Sequence, residues 1–147
     1  MERGVVLKSI YLIGSLRNPE IPKIGVKIRD ALGIEAFTDW HDASHLADDT
    51  WQTNCNLRGY SYEEALNSYG AKNVFNFDKT HLDRCDAAIL IMPAGKSGHL
   101  ELGYMAKDKL AFILFDGIPD RYDVMYNFLT GRFYSQEEMI EGLMKYV

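Results

Sequence analysis

The sequence predicts an α/β fold: a doubly wound, flavodoxin-like sandwich on a five-stranded parallel sheet. Three observations predict it. Short apolar runs rich in β-formers recur along the chain, as SIYLI, EAFTD, DAAILIM and LAFILF. Segments with helical spacing of apolar residues separate them. DAAILIM and LAFILF show no polar alternation, as expected of central parallel strands covered on both faces. Strands alternating with helices build a parallel sheet with helices on both sides.

The bulk numbers fit a single domain spanning residues 1–147, long enough to bury a real core. A hydrophobic content of 47% and a charged content of 25% are ordinary for a globular protein. The net charge of −5 argues against a nucleic-acid polymer as partner, because a phosphate backbone demands a basic face. A small anion needs only an arginine and a few backbone N–H groups. No apolar run reaches the roughly 18 residues of a membrane helix. The start, MERGVVLKSIYLIGS, is basic and then apolar like a signal peptide. Lys8 and Ser9 break the run, and a first strand is the better reading. Cys55 and Cys85 make neither a disulfide framework nor a metal spacing, which fits a reduced, cytoplasmic setting.

In order, Ser9 to Ile13 is the first buried strand. It runs into Gly14-Ser15-Leu16-Arg17-Asn18-Pro19. Gly14 permits a tight backbone, and Ser15, Arg17 and the loop N–H groups are able to hold polar ligand groups. A plain strand-to-helix turn explains the same residues equally well. Ile21, Ile24, Ile28 and Leu32 predict an amphipathic helix over Glu20 to Leu32, ended by Gly33. Glu35 to Asp39 is a short second strand.

Trp40 to Tyr69 is the least regular part and reads as a long loop over the sheet's carboxyl edge. His41, Asp42, His45, Asp48 and Asp49 match no familiar metal-ligand pattern, so no metal is expected. Trp40, Trp51 and Tyr60 are candidates to stack on a flat ring, with core packing an equal alternative. Ser61 to Tyr69 has helical character and is closed by Gly70. Ala71 to Arg84 is the next helix, with Val74, Phe75, Phe77 and Leu82 on one side. Asp78 lies among them, either paired with Lys79 or a nearby arginine or turned inward.

Asp86 to Met92 is the central strand. Leu110 to Phe115 is the next, and Asp116 to Pro119 a turn. Arg121 to Phe128 is a short aromatic-rich segment, and Gly131 to Tyr134 a brief last strand. Ser135 with Glu138 forms a capping box for a final helix whose apolar face is Met139, Ile140, Leu143 and Met144.

The stretch most suggestive of chemistry is Pro93 to Met105, PAGKSGHLELGYM. Gly95, Ser97 and Gly98 are expected to form a polar turn. A helix to about Asp108 follows, with Glu101 in its first turn. Such an acid gains roughly 0.3–1 kcal/mol from the helix dipole as ordinary structure. Flanked by Leu100 and Leu102 in a cleft, it is equally suited to act as base, acid or nucleophile. The glycines match neither a P-loop nor a dinucleotide fingerprint, and no nucleophile elbow is present. Fold alone does not choose among these roles.

IYLIGSLR, FDKTHLDRCDAAILIMPAGKSGHLELGY and DVMYNF together resemble the nucleoside 2-deoxyribosyltransferase family. The resemblance covers most of the chain. Its specific part is the ELGY box and an aspartate, Asp78, eight residues before Asp86. It implies a five-stranded parallel sheet and a homo-oligomer whose sites are completed by a neighbouring subunit. It implies that Glu101 attacks the anomeric carbon of a 2′-deoxynucleoside, leaving a deoxyribosyl ester that a second base or water then cleaves with net retention. Asp78 matches the acid that handles the base's proton, and its surroundings should raise its pKa. Tyr11 matches a tyrosine that orients the nucleophile.

Substrate contacts are implied for Gly14, Ser15, Arg17, Trp40, Gly95, Ser97 and Gly98, and for Asp123 and Met125 in DVM through a neighbouring subunit. No cofactor and no metal are implied, and the partners are a deoxynucleoside and a free nucleobase. The chain departs from some members at Gly95, where they carry a sugar-binding acid. The related 2′-deoxynucleoside 5′-monophosphate N-glycosidases carry a GS-x-R turn and a loop serine. Ser15, Arg17 and Ser97 fit that alternative, whereas an Asp123 near the site would repel a phosphate. The free nucleoside is the expected substrate.

Overall fold

The computed structural model describes residues 5–119 and 121–147, with the side chains of all of these but 44–48. Among the described residues, five strands form one parallel sheet in the order β2-β1-β3-β4-β5. They are β1 Ser9–Ile13, β2 Glu35–Phe37, β3 Ala87–Ile91, β4 Leu110–Leu114 and β5 Gly131–Phe133. The helices are α1 Glu20–Leu32, α2 Ser44–Leu57, α3 Tyr62–Leu66, α4 Tyr69–Arg84, α5 Lys96–Ala106 and α6 Gln136–Met144. Single 3-10 turns lie at Asp39–Ala43 and Val124–Phe128. This is the doubly wound, flavodoxin-like sandwich expected from the alternation.

Every residue of β1, β3 and β4 is buried, which is why these strands are apolar throughout. Their side chains alternate between two cores. Ile10, Leu12, Ile89, Ile91, Phe112 and Leu114 pack with Ile21, Ile24 and Ile28 of α1 and Met139 and Leu143 of α6. Tyr11, Ile13, Ala88, Leu90 and Ile113 face the other way, toward Leu82 of α4 and Leu102 and Met105 of α5. Each fully buried large apolar side chain contributes about 1.5–3 kcal/mol by leaving water.

The helix boundaries repeat their sequence signals where a cap is strong. Gly33 closes α1 at φ 67°, a left-handed position suited to glycine. Ser135 Oγ accepts from Glu138 N at 3.2 Å, and the Glu138 carboxylate accepts from Tyr134 N, one residue before the expected box partner.

Three expectations fail. The region after Trp40 is not a loop but the 3-10 turn followed by the 14-residue α2. Of the side chains described in that helix only Cys55 is buried, so they show little 3.6-residue period. Gly70 does not end a helix. Ser68 caps Ala71 N, and α4 begins at Tyr69, so Gly70 lies inside it. There Gly70 admits Trp51, whose Cβ lies 3.1 Å from where a Gly70 Cβ would stand. The apolar side of α4 is also misjudged: Val74, Phe75 and Phe77 are exposed, and only Ala71 and Leu82 of that helix are buried.

Candidate active site

β1 and two helices on one face of the sheet build the site. Tyr11 is the middle residue of β1 and points into the core beneath α4 and α5. Ser68 opens α4 and Lys109 closes it, and Asp78 sits midway along. The α5 helix begins at Lys96 after the Gly95 cap, so Ser97 and Gly98 are its first residues, not a turn before it. Glu101 therefore lies in the second turn, and the first turn holds no acid. The dipole explanation for this glutamate weakens accordingly, since that effect fades within one turn.

Gly98 explains how α5 comes so close to the sheet. A Cβ there would lie 2.9 Å from Leu90 Cδ1 and 3.2 Å from Ile13 Cγ2. The glycine brings the helix down on β1 and β3, and Leu102 and Met105 bury behind it. Glu101 is carried with them to the strand that holds Tyr11.

Tyr11, Asp78 and Glu101 converge. The Tyr11 hydroxyl faces the carboxyl groups of both Asp78 and Glu101 and draws each toward its ionised form. Burial raises the Tyr11 phenol well above its ordinary range, and the charges of Glu101 and Asp78 add to this, so it stays a proton donor. Burial, with the charge of Asp78, pushes Glu101 up to about 8 against the pull of the Tyr11 bond. Burial pushes Asp78 up to about 6, again opposed by Tyr11. Between about pH 6 and pH 8 the two carboxyl groups thus share one proton. Of the alternatives left open for Asp78, the inward position holds, because Lys79 pairs with Asp83 at 2.8 Å instead.

An aromatic wall adjoins Asp78. Phe77 and His81 stand beside it on α4, and His81 stacks on Phe37 at 4.1 Å between ring centroids. Phe37 in turn meets Tyr11 at 5.3 Å. Arg84 lies over the Phe37 ring and holds Glu35 through two bonds of 2.7 and 2.8 Å. The signal for Phe77 and His81 was spacing: they are four residues apart on α4, and His81 is three after Asp78, so His81 neighbours both.

Other expected contact residues are placed as follows. Gly14 packs under Ile21, whose Cδ1 would be 2.6 Å from a Cβ there. Ser15 Oγ accepts from Arg17 N at 3.1 Å, and the exposed Arg17 guanidinium pairs with Asp49 at 3.7 Å. Trp40 is not a free stacking surface. Its Nε1 donates to Leu12 O at 2.7 Å, and its ring packs against both cores. Gly95 and Ser97 are exposed at the start of α5. Asp123 and Met125 are exposed, with Asp123 Oδ1 accepting from Met125 N at 2.8 Å.

His99 and Tyr126 went unnoticed in the sequence. His99 Nδ1 donates to Gly95 O at 2.8 Å, since a carbonyl only accepts, and Nε2 then accepts from the Tyr126 hydroxyl, also at 2.8 Å. This pair fastens the 124–128 turn to the start of α5. A separate cavity of about 380 Å³ opens at the carboxyl edge near Asn18, Glu20, Pro93, Asp116 and Tyr134. It contains none of Tyr11, Asp78 or Glu101.

Among the described residues no three His, Cys, Asp or Glu side chains gather to hold a metal ion, and no helix is long and apolar enough to cross a membrane. The side chains of His45 and Asp48 lie outside the described residues. Cys55 and Cys85 are free and buried.

No protein-family model matches the chain, and no curated protein matches it. In fold it is similar to a solved 2-deoxyribosyltransferase from the psychrotolerant bacterium Bacillus psychrosaccharolyticus. The TM-score is 0.59 with 18% identity, over 90% of this chain and 90% of that one.

Proposed function

We propose that this protein is a nucleoside 2-deoxyribosyltransferase that moves 2-deoxyribose between nucleobases through an ester on Glu101. The reading is supported by the convergence of Tyr11, Asp78 and Glu101, whose carboxyl groups act on one another and on the phenol. The fold likeness to a 2-deoxyribosyltransferase supports it.

In the first displacement a Glu101 carboxylate oxygen bonds to C1′ and the C1′–N bond breaks. Asp78 gives its proton to the leaving base nitrogen. In the second, a new base attacks C1′, the ester bond breaks, and the proton of the incoming nitrogen returns to Asp78. Two inversions give retention. In the free protein the two carboxyl groups share one proton. Substrate places it on Asp78. A base nitrogen beside Asp78 accepts a bond from the protonated acid, and positive charge growing at C1′ favours an ionised Glu101. Tyr11 donates to the carboxylate in both states. The half-exposed His81 and the exposed Phe77 offer a stacking surface for the base beside its proton donor.

Asp123 and Met125 stand exposed on the turn after β4, where a neighbouring copy in a homo-oligomer would receive them. The test mixes the protein with a deoxynucleoside and a different free base and resolves the products. Transfer is expected, with a transient species heavier by one deoxyribosyl unit mapped to Glu101. The absence of any exchange or hydrolysis with deoxynucleosides or their monophosphates defeats the reading.

One observation favours a second reading, a 2′-deoxynucleoside 5′-monophosphate N-glycosidase. α5 starts without a side-chain cap, so its first N–H groups face outward beside exposed Ser97. A helix start of that kind suits a phosphate. Hydrolysis of monophosphates without transfer would select it.

A further inference from the structure

The tyrosine of the ELGY box plays no part in the mechanism above. Tyr104 is half exposed, one turn beyond Glu101 on α5. Its hydroxyl donates to Asp83 Oδ1 on α4. Lys79 donates to the other oxygen of Asp83 at 2.8 Å and lies over the Tyr104 ring. Just beyond α5, the Lys109 ammonium donates to three carbonyl oxygens at the end of α4, those of Leu82 at 3.0 Å, Asp83, and Cys85 at 2.6 Å. These are carbonyls a helix leaves without partners, and an ammonium with three hydrogens satisfies all three.

The helix gripped in this way is also tied to β2, by His81 on Phe37 and Arg84 on Glu35, but it buries little of itself. Of the sixteen residues of α4 only Ala71 and Leu82 are buried. Yet α4 must hold Asp78 against Tyr11 and Glu101, whose protonation it governs. The two bridges between α4 and α5 run side by side. Asp78 and Asp83 are five residues apart, about 7.5 Å along the helix, and Glu101 and Tyr104 about 4.5 Å. The inner bridge passes through Tyr11, and the outer one is Tyr104 to Asp83.

We propose that Tyr104 and Lys109 are positioning residues, which clamp α4 to α5 and so hold Asp78 at the distance from Glu101 that proton transfer requires. The part concerning turnover rests on the function proposed above, and the part concerning geometry does not. A shift of about 1 Å at a reacting group is enough to cost up to roughly 100-fold in rate. Loosening the clamp admits water between the carboxyl groups and weakens their repulsion. The groups that bear on the pair are Tyr11 from β1 and, through Tyr11, Cys85 at the end of α4. Neither is itself substituted below, and the charge of Lys109 acts on the Cys85 thiol but is no cause of the shifts of Asp78 or Glu101.

The experiment follows the two carboxyl groups by carbon-detected NMR titration of the free protein, and kcat and KM for deoxyribosyl transfer. Tyr104→Phe and Lys109→Met are each expected to lower the upper titration midpoint toward the lower one. Each should also reduce kcat by roughly 10-fold while KM stays within about twofold. Asp83→Ala should repeat the loss, and Asp83→Asn, which keeps an oxygen for Tyr104, should recover most of it. Wild-type titration and wild-type kcat in folded Tyr104→Phe and Lys109→Met proteins would overturn the proposal. If the wild-type protein transfers nothing, the function reading fails, and the titration, which needs no substrate, still decides the clamp.

Discussion

Glu101 of α5 and Asp78 of α4, carried by different helices, both face the hydroxyl of Tyr11 on β1. Two half-buried carboxyl groups that repel one another do not ionise together at neutral pH. Their joint protonation is the property most accessible to experiment.

Replacing Glu101 with glutamine tests it through stability. The folded state raises this carboxyl from its ordinary value to about 8, so the folded protein binds more protons than the unfolded chain between about pH 4.5 and pH 8. Stability therefore falls as pH rises through that interval. Glutamine keeps the shape and does not ionise. Glu101→Gln is expected to be more stable than wild type at pH 8, by about 1–3 kcal/mol, with the gap closing at pH 5. Denaturant melts at the two pH values measure it. A gap that widens toward acid contradicts the assignment. The same variant should lose at least about 1000-fold in transfer, since glutamine is no nucleophile.

Tyr11→Phe removes the shared donor and leaves the ring in place. The Tyr11 bond lowers both carboxyl groups, so both should titrate higher without it. Transfer should fall by about 10–100-fold, and the acid limb of its pH profile should move up. Stability should change by only about 1 kcal/mol, because a net hydrogen bond is worth about that much. An unchanged profile would remove Tyr11 from the mechanism.

Gly98→Ala tests how closely α5 approaches the sheet. The added methyl meets Leu90 Cδ1 and Ile13 Cγ2 inside 3.3 Å. Helix propensity favours alanine by about 1 kcal/mol, and overpacking costs about 1–3 kcal/mol. The expected sum is a loss of up to about 2 kcal/mol in a chemical melt. Activity should fall further than stability does, since the helix that moves carries Glu101.

Trp40→Phe separates core packing from ligand stacking. It deletes the bond to Leu12 O and keeps an aromatic ring. A loss of about 1 kcal/mol is expected from the unpaired carbonyl, with KM for the base unchanged. A large rise in KM at constant stability would return Trp40 to the binding site.

Much of this was legible from the chain alone. The five strands, α1 with its Gly33 cap and the Ser135 cap follow from period, turn chemistry and the need to bury apolar faces, all of which act over a few neighbouring residues. Glu101, Asp78 and Tyr11 were singled out by motif likeness, and sequence spacing said nothing of their meeting. The region after Trp40 was misread because residues 49–57 of α2, of which only Cys55 is buried, show no apolar stripe. Glu101 was placed one turn too early because two glycines look like a turn, whereas Gly98 is needed for close packing inside a helix. Only the tertiary structure decided that Tyr11, Asp78 and Glu101 come together on one face of the sheet. It also decided that Tyr104 and Lys109 grip α4, that Trp40 serves the core, and that His99 ties down the Tyr126 turn. Those relations join residues far apart in the chain. They are set by how deeply each helix settles on the sheet, and by which buried polar atoms must then find one another.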